Sequence, residues 1–335
     1  MDDRIKLAID TLGGDNGAEP MVAAVKAAFE KYDDFDVTLY GKEGELSDLI
    51  KQYGVDEARI KIVGATETIT CHDAPVDAVR RKKDSSMVLA LTSVKNGENQ
   101  AVISAGNTGA LLAGGTFIVG RAKGVKRAPL ATLVPTRTGD SLMLDCGANV
   151  DVKPEALVQF AKMGSIYMEN IMGVKKPKVA LVNIGAEDEK GNELVKQTLP
   201  VLRTLKDINF VGSIESRDIV SGQADVIVTE AFTGNCMLKL YEGVGRMFMK
   251  EIKGVLNQSP KTKLGAALIY KPLKKHLKRF MADDKGGAPL LGIKGLVVKI
   301  HGNSKQAEAE SAIYQCRNFI ISGVNEKIVK SFEEV

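Results

Sequence analysis

Residues 101–120 read Ala101-Val102-Ile103-Ser104-Ala105-Gly106-Asn107-Thr108-Gly109-Ala110-Leu111-Leu112-Ala113-Gly114-Gly115-Thr116-Phe117-Ile118-Val119-Gly120. The opening apolar run is long enough for the end of a buried strand. Ser104 to Gly109 is small, polar and glycine-rich, and the small apolar residues after it predict a helix packed tightly on a sheet. Strand, small-residue loop and helix together make an anion site, because the first N–H groups of a helix have no partner within it and carry partial positive charge. Gly106 and Gly109 let backbone come close to a bound group, and Asn107 and Thr108 add side-chain donors. An ordinary strand-to-helix turn has the same pattern. The functional reading gains ground because the construction recurs along the chain.

On the N-terminal side, residues 5–10 form an apolar strand that ends in Asp10-Thr11-Leu12-Gly13-Gly14-Asp15-Asn16-Gly17. Residues 21–32 have helical spacing, 36–40 and 60–63 read as strands, and 45–53 as a helix. Pro75 opens a helix predicted to run through Lys95. On the C-terminal side, residues 130–134 and 141–145 form a hairpin around Arg137-Thr138-Gly139-Asp140, ending in Asp145-Cys146-Gly147-Ala148-Asn149. A helix over 154–172 leads to a strand over 178–184, then a loop from Gly185 to Gly191 and a helix over about 192–205 that Pro200 is predicted to kink. Strands follow at 209–211 and 225–229, the second ending in Glu230-Ala231-Phe232-Thr233-Gly234-Asn235 before a helix from about Met237. Residues 296–300 make the last strand, before His301-Gly302-Asn303-Ser304 and a closing helix. This alternation predicts an α/β fold of three layers, α/β/α, with a mostly parallel sheet. Ligands of such sheets bind outside the carboxyl ends of the strands, where these polar glycine loops would line one cleft. With no repeat or linker, residues 1–335 read as one domain.

Composition narrows the class. A chain of 335 residues, 44% hydrophobic and 26% charged, can bury a large soluble core. It lacks Trp, has 5% aromatics and carries a net charge of only +4, which speaks against nucleic-acid binding. There is no signal region and no apolar run of about 18 residues, so a cytoplasmic protein is expected. Cys71, Cys146, Cys236 and Cys316 have no Cys-x-x-Cys spacing and read as reduced thiols, with Cys146 and Cys236 as buried small side chains rather than nucleophiles. No metal site or cofactor is expected. Phosphate-loop, dinucleotide, nucleophile-elbow and zincin motifs are missing. His72 and Asp77 have the His-x-x-x-x-Asp spacing of glycerolipid acyltransferases, but without a companion motif this is a chance spacing.

The motif stretches in order are Gly13-Gly14-Asp15, Ala78 to Met87, Ser104 to Gly109, Leu144 to Asn149, Asp151-Val152-Lys153-Pro154-Glu155 and Asn183-Ile184-Gly185. They continue with Lys190-Gly191-Asn192-Glu193, Phe232-Thr233-Gly234-Asn235, Gly286-Gly287-Ala288 and His301-Gly302. Together they resemble the PlsX family, the acyl-carrier-protein:phosphate acyltransferases of bacterial phospholipid synthesis, over nearly the whole chain. Departures from the family pattern are Leu12 for Met, Asn16 for His, and Glu230-Ala231 for Asp-Gly. The resemblance implies a fold like the isocitrate/isopropylmalate dehydrogenases and phosphotransacetylases, and a homodimer. It further implies formation of acyl phosphate from long-chain acyl carrier protein and orthophosphate, feeding a membrane acyl-phosphate:glycerol-3-phosphate acyltransferase.

In that reaction phosphate is the nucleophile, so the chain needs mainly to position it and stabilise an oxyanion. Asn107, Thr108, Lys190 and His301 are the expected catalytic residues. Gly13, Gly14, Asp15, Ser104, Gly106, Gly109, Asp145, Asn149, Asn183, Glu187, Thr233 and Asn235 are the expected substrate contacts. Asp10, Asp15, Asp145 and Glu187 read equally as loop braces, since carboxylates repel phosphate. Arg80-Arg81-Lys82-Lys83 is either a solvated helix face or a docking patch for an acidic carrier. Residues 252–282 carry no Asp or Glu and predict a basic amphipathic arm in two pieces separated by Pro272, packed in a dimer interface or resting on an anionic membrane surface. The rival readings are an acyl-CoA-dependent phosphotransacetylase and an NAD-dependent decarboxylating dehydrogenase on the same fold.

Overall fold

The computed structural model describes residues 4–278 and 286–333. Its strands form two sheets. The first contains β1 (Ile5–Asp10), β2 (Phe35–Gly41), β3 (Ile60–Gly64), β4 (Ala101–Ser104), β10 (Ala288–Leu290) and β11 (Leu296–Lys299), in the order β10-β11-β4-β1-β2-β3. The second contains β5 (Thr132–Pro135), β6 (Asp140–Leu144), β7 (Lys178–Asn183), β8 (Asn209–Glu215) and β9 (Val226–Val228), in the order β5-β6-β9-β7-β8. All neighbours run parallel except β10–β11 and β5–β6, the latter being the expected hairpin. The sheet is thus mostly parallel, as expected, but divided in two. The halves meet through an antiparallel bridge of Leu130 with Leu290, where the Ala131 amide donates to the Pro289 carbonyl at 3.0 Å. Sequence pattern did not reveal β10, a short strand whose partners lie far along the chain.

Strand alternation explains the layers, because successive side chains point to opposite faces. Leu7, Ile9, Ile103 and Val298 from the first sheet share one apolar cluster with Leu142, Leu144, Leu181 and Val228 from the second. Helices α1 (Glu19–Phe29), α6 (Pro154–Asn170), α7 (Glu193–Thr204) and α10 (Gln306–Ile321) add Val22, Phe160, Leu202 and Phe319 to it. The alternate residues Ala8, Val102 and Val297 face a second cluster, and Met143, Ala180 and Ile227 a third.

Three predicted helices differ. Residues 75–95 form α3 (Pro75–Arg81) and α4 (Ser86–Lys95) instead of one helix. Lys82 leaves the helical conformation and sends its ammonium back to the Thr68 carbonyl at 2.9 Å and to Asp73 at 2.7 Å. Ser85 then takes the extended cap position before α4. The helix expected from Met237 begins at Ala231 and runs to Leu256 (α8), because the Glu230 carboxylate accepts the Phe232 and Thr233 N–H groups. The arm is therefore a hairpin of α8 and α9 (Pro260–Lys278). Pro272 lies inside α9 rather than separating two pieces, and on an exposed helix water can satisfy the carbonyl it frees. Leu264, Leu268, Ile269 and Tyr270 of α9 and Met247 and Phe248 of α8 are all exposed. Residues 279–282 of the predicted arm, with Arg279, Phe280 and Met281, lie outside the described residues, as do the side chains of 274–278. Cys236, expected to be buried, is exposed, since only Ala231 and Gly234 of α8 are buried.

Candidate active site

Asp10 ends β1 completely buried. It accepts short hydrogen bonds of 2.6 Å from the hydroxyls of Ser86 and Ser104. Burial pushes its pKa up against these hydroxyls and the nearby Lys299 charge. Ser104 Oγ in turn accepts the Gly106 N–H at 3.0 Å, so the carboxylate fixes the start of the loop between β4 and α5 (Thr108–Gly114), after which the helix widens into a π-helical segment over Gly115–Gly120. Gly13 packs directly on this loop: a Cβ there would stand 2.5 Å from Gly106 Cα, so only glycine permits the approach. The β1 loop is also tied to the loop after β11, with the Asp15 amide on the Gly302 carbonyl at 2.7 Å and Asn16 Nδ2 on that of Asn303 at 2.9 Å. Gly14 rests against Ala105, and Gly109 against Pro75.

Asn107 plays a more structural part than its residue type suggests. Its Oδ1 caps α5 by accepting the Ala110 N–H at 3.0 Å. Its Nδ2 donates to the carbonyls of Thr70 and Asp73 at 2.9 and 3.2 Å, which pins the 70–73 loop beside the site. Thr108, next to it, is exposed at the first turn of α5.

The second sheet supplies the remaining loops. Asp145, after β6, is buried and accepts the N–H groups of Leu130, Gly147, Ala148 and Asn149, and Asn149 Nδ2 at 2.7 Å. Asn149 Nδ2 also donates to the Ala128 carbonyl at 2.8 Å. Both residues are therefore engaged as braces of the 145–149 loop, the alternative that sequence left open for Asp145. Asn183, the last residue of β7, accepts the Ile184 N–H at 2.8 Å and donates weakly to the Lys190 carbonyl at 3.3 Å. Lys190 and Glu187 are exposed and paired at 2.9 Å; the pair raises the lysine pKa and lowers that of the glutamate. Thr233 and Asn235 lie on the first turns of α8, with Asn235 exposed.

Helix α8 joins the two groups of loops. From its fourth turn, Glu242 reaches His301, 3.7 Å away at the end of the first sheet, and holds Lys239 at 2.9 Å. Close by, Lys299 at the end of β11 donates to the Ala105 carbonyl at 3.1 Å and to that of Ile300. Burial lowers its pKa to about 8, opposed by Asp10 and Asp15, and Lys239 lowers it further. Sequence reading missed Lys299, Ser86, Lys239 and Glu242. The lysine sits in a strand otherwise apolar, Leu296-Val297-Val298, a signal that could have exposed it. Of the basic run, Arg80, Arg81 and Lys83 are exposed, whereas the ammonium of Lys82 is turned inward onto Asp73.

At the ends of β7, β8 and β9 a cavity of about 430 Å³ opens beside Asn183 and Thr233. Among the described residues no group of three or more His, Cys, Asp or Glu side chains is arranged to hold a metal ion.

Solved structures with this architecture include a phosphotransacetylase from Streptococcus pyogenes, at a TM-score of 0.62 and 17% identity, covering 96% of this chain and 94% of that one. A branched-chain phosphotransacylase from Enterococcus faecalis V583 gives 0.58 and 14%, covering 94% and 98%. The fold is thus of the phosphotransacetylase type, in line with the expectation from sequence. A family model described as fatty acid synthesis protein matches residues 5–327, and the chain belongs to that family. Its relatives include the phosphate acyltransferase of Clostridium novyi, 43% identical over 330 residues, covering 98% of this chain and 99% of that protein. The phosphate acyltransferase of Lactococcus lactis is 46% identical over 333 residues, covering 99% of each.

Proposed function

We propose that the chain is a phosphate acyltransferase that transfers a long-chain acyl group from the thioester of acyl carrier protein to orthophosphate, giving acyl phosphate and free carrier. The observation that carries this reading is the junction where Lys299, Lys239 and His301 gather beside the glycine-packed Ser104–Gly109 loop. Fixed N–H groups and cations suit an anionic nucleophile and an oxyanion. One phosphate oxygen attacks the thioester carbonyl, the tetrahedral intermediate collapses, and the C–S bond breaks with its electron pair on sulfur. The departing thiol, with a pKa near 8.5 as for cysteine, needs little acid assistance. Lys190, whose pKa is raised by Glu187, stays cationic and serves as a charge rather than a proton source. Asn107 acts by holding the loops, Asp10 and Asp145 by bracing them.

The same reading makes the chain a single-domain, cytoplasmic homodimer without a cofactor. Acyl carrier protein docks on Arg80, Arg81 and Lys83. The α8–α9 hairpin rests peripherally on an anionic membrane, near the glycerol-3-phosphate acyltransferase that uses the product; no described helix is long and apolar enough to cross a membrane. The deciding assay is orthophosphate-dependent release of carrier from palmitoyl-carrier-protein in the absence of metal and nucleotide. Strict dependence on NAD or a divalent metal overturns the reading, and a higher rate with palmitoyl-CoA replaces the donor.

A further inference from the structure

The cavity between α7 and the first turns of α8 holds about 430 Å³, within the range of small-molecule sites. Leu157, Leu181 and Val195, all buried core residues, line its inner end, and Leu194 and Met237 line it from α7 and α8. Two helix N-termini face it, a geometry that by itself would favour an anion. Both are already filled from within the chain. Asn192 Oδ1 accepts the Val195 N–H at 2.9 Å, and the Glu230 carboxylate accepts those of Phe232 and Thr233 at 2.6 and 3.0 Å. Glu215 adds a second carboxylate to the lining. Phosphate is repelled from such a space, while the apolar inner surface suits a hydrocarbon.

Apolar side chains continue at the rim and the far end, among polar lining residues that include Asn183, Asn192, Ser216, Thr229 and Thr233. Ile184 lines the cavity yet is 78% exposed. Beyond Ser216 and Met237, which border both spaces, lies a second void of about 40 Å³ lined by Val134, Met143, Ile219 and Tyr241. Met237 is the unbranched, adaptable side chain between the two.

We propose, resting on the acyl-transfer reading above, that this cavity receives the hydrocarbon chain of the acyl donor and that Met237 sets the chain length it accepts. Phosphate and acyl chain are thereby separated: the anion lies against the loops of the first sheet and the apolar tail in the second.

The test compares wild type with Leu194→Phe and Met237→Ala by two readouts. One is kcat/KM over acyl-carrier-protein donors of increasing chain length. The other, independent of turnover, is binding of a fluorescent saturated fatty acid and its displacement by palmitate. Leu194→Phe fills the cavity and shifts preference to shorter chains, the ratio of long to short donors falling about fourfold for each methylene that no longer fits. Met237→Ala joins the two voids and shifts preference to longer chains. Folded variants that both keep the wild-type chain-length profile and fatty-acid affinity overturn the proposal, as does displacement of the probe by phosphate. If no donor yields acyl phosphate but Leu194→Phe still weakens fatty-acid binding, the cavity's occupant stands and only the transfer reading falls.

Discussion

Lys299 shows how much a single side chain takes from its surroundings. Burial lowers its pKa to about 8. Below that pH it is a cation beside the glycine-packed loop, and above it the charge is lost. Phosphate-dependent turnover is expected to fall as pH rises through about 8, and Lys299→Met to remove that limb. Stability runs in the opposite direction. The folded value lies below the ordinary 10.5, so the unfolded chain holds more protons between the two, and this group's contribution to stability rises with pH across that window. Rate profiles and urea midpoints against pH check both statements. Asn107 gives a second contrast. Asn107→Ala removes the cap and is expected to cost about 1 kcal/mol. Asn107→Asp retains the acceptor for Ala110 but loses the donor to Thr70 and Asp73. Near-native stability with reduced turnover in the Asp variant, measured by thermal melts and rates, is the expected result. Loss of the Ser86 hydroxyl from buried Asp10 is expected to destabilise by about 1–3 kcal/mol, read from urea unfolding of Ser86→Ala. Sequence marked Asn107 and Asn149 as donors by type. It could not show that both spend those donors on carbonyls, because the carbonyls come from other loops.

Most strands and helices were legible because apolar spacing of two or about three and a half residues needs no partner to be seen. The failures are competitions at helix ends that apolar spacing does not register. Lys82 breaks the predicted 75–95 helix because Asp73 and the Thr68 carbonyl outbid helix continuation. Helix α8 starts early because Glu230 caps it. The α8–α9 hairpin keeps the basic amphipathic character read from sequence, but its apolar side chains face outward: Leu268 is 78% and Ile269 47% exposed. With Leu268 and Ile269 both replaced by Glu, sedimentation with anionic vesicles is expected to be lost, with fold and transfer in solution retained. High salt is expected to weaken wild-type sedimentation, since screening shortens the reach of surface charge. Loss of both dimer and activity in the double variant would place this face inside an assembly instead.

At the scale of the molecule, one apolar cluster runs under both sheets while their opposite faces pack separately. Leu144 belongs to the shared cluster and is completely buried. Leu144→Ala is expected to cost about 2–5 kcal/mol and to lower a single unfolding transition rather than that of one sheet. Calorimetry with hydrogen exchange on β4 and β9 reads this directly. The sequence alone determined the α/β/α class, the order of nearly all elements, the family and the placing of polar loops after strands, because these depend on periodicity and on residues adjacent in the chain. Only the tertiary structure decided the division into two sheets, the inward turn of Lys82, the buried Asp10–Ser86–Ser104 cluster, the altered Lys299 and the apolar cavity. Each of these arises where groups far apart in the chain compete for the same space, hydrogen bond or charge, and that competition is settled only when the chain has folded.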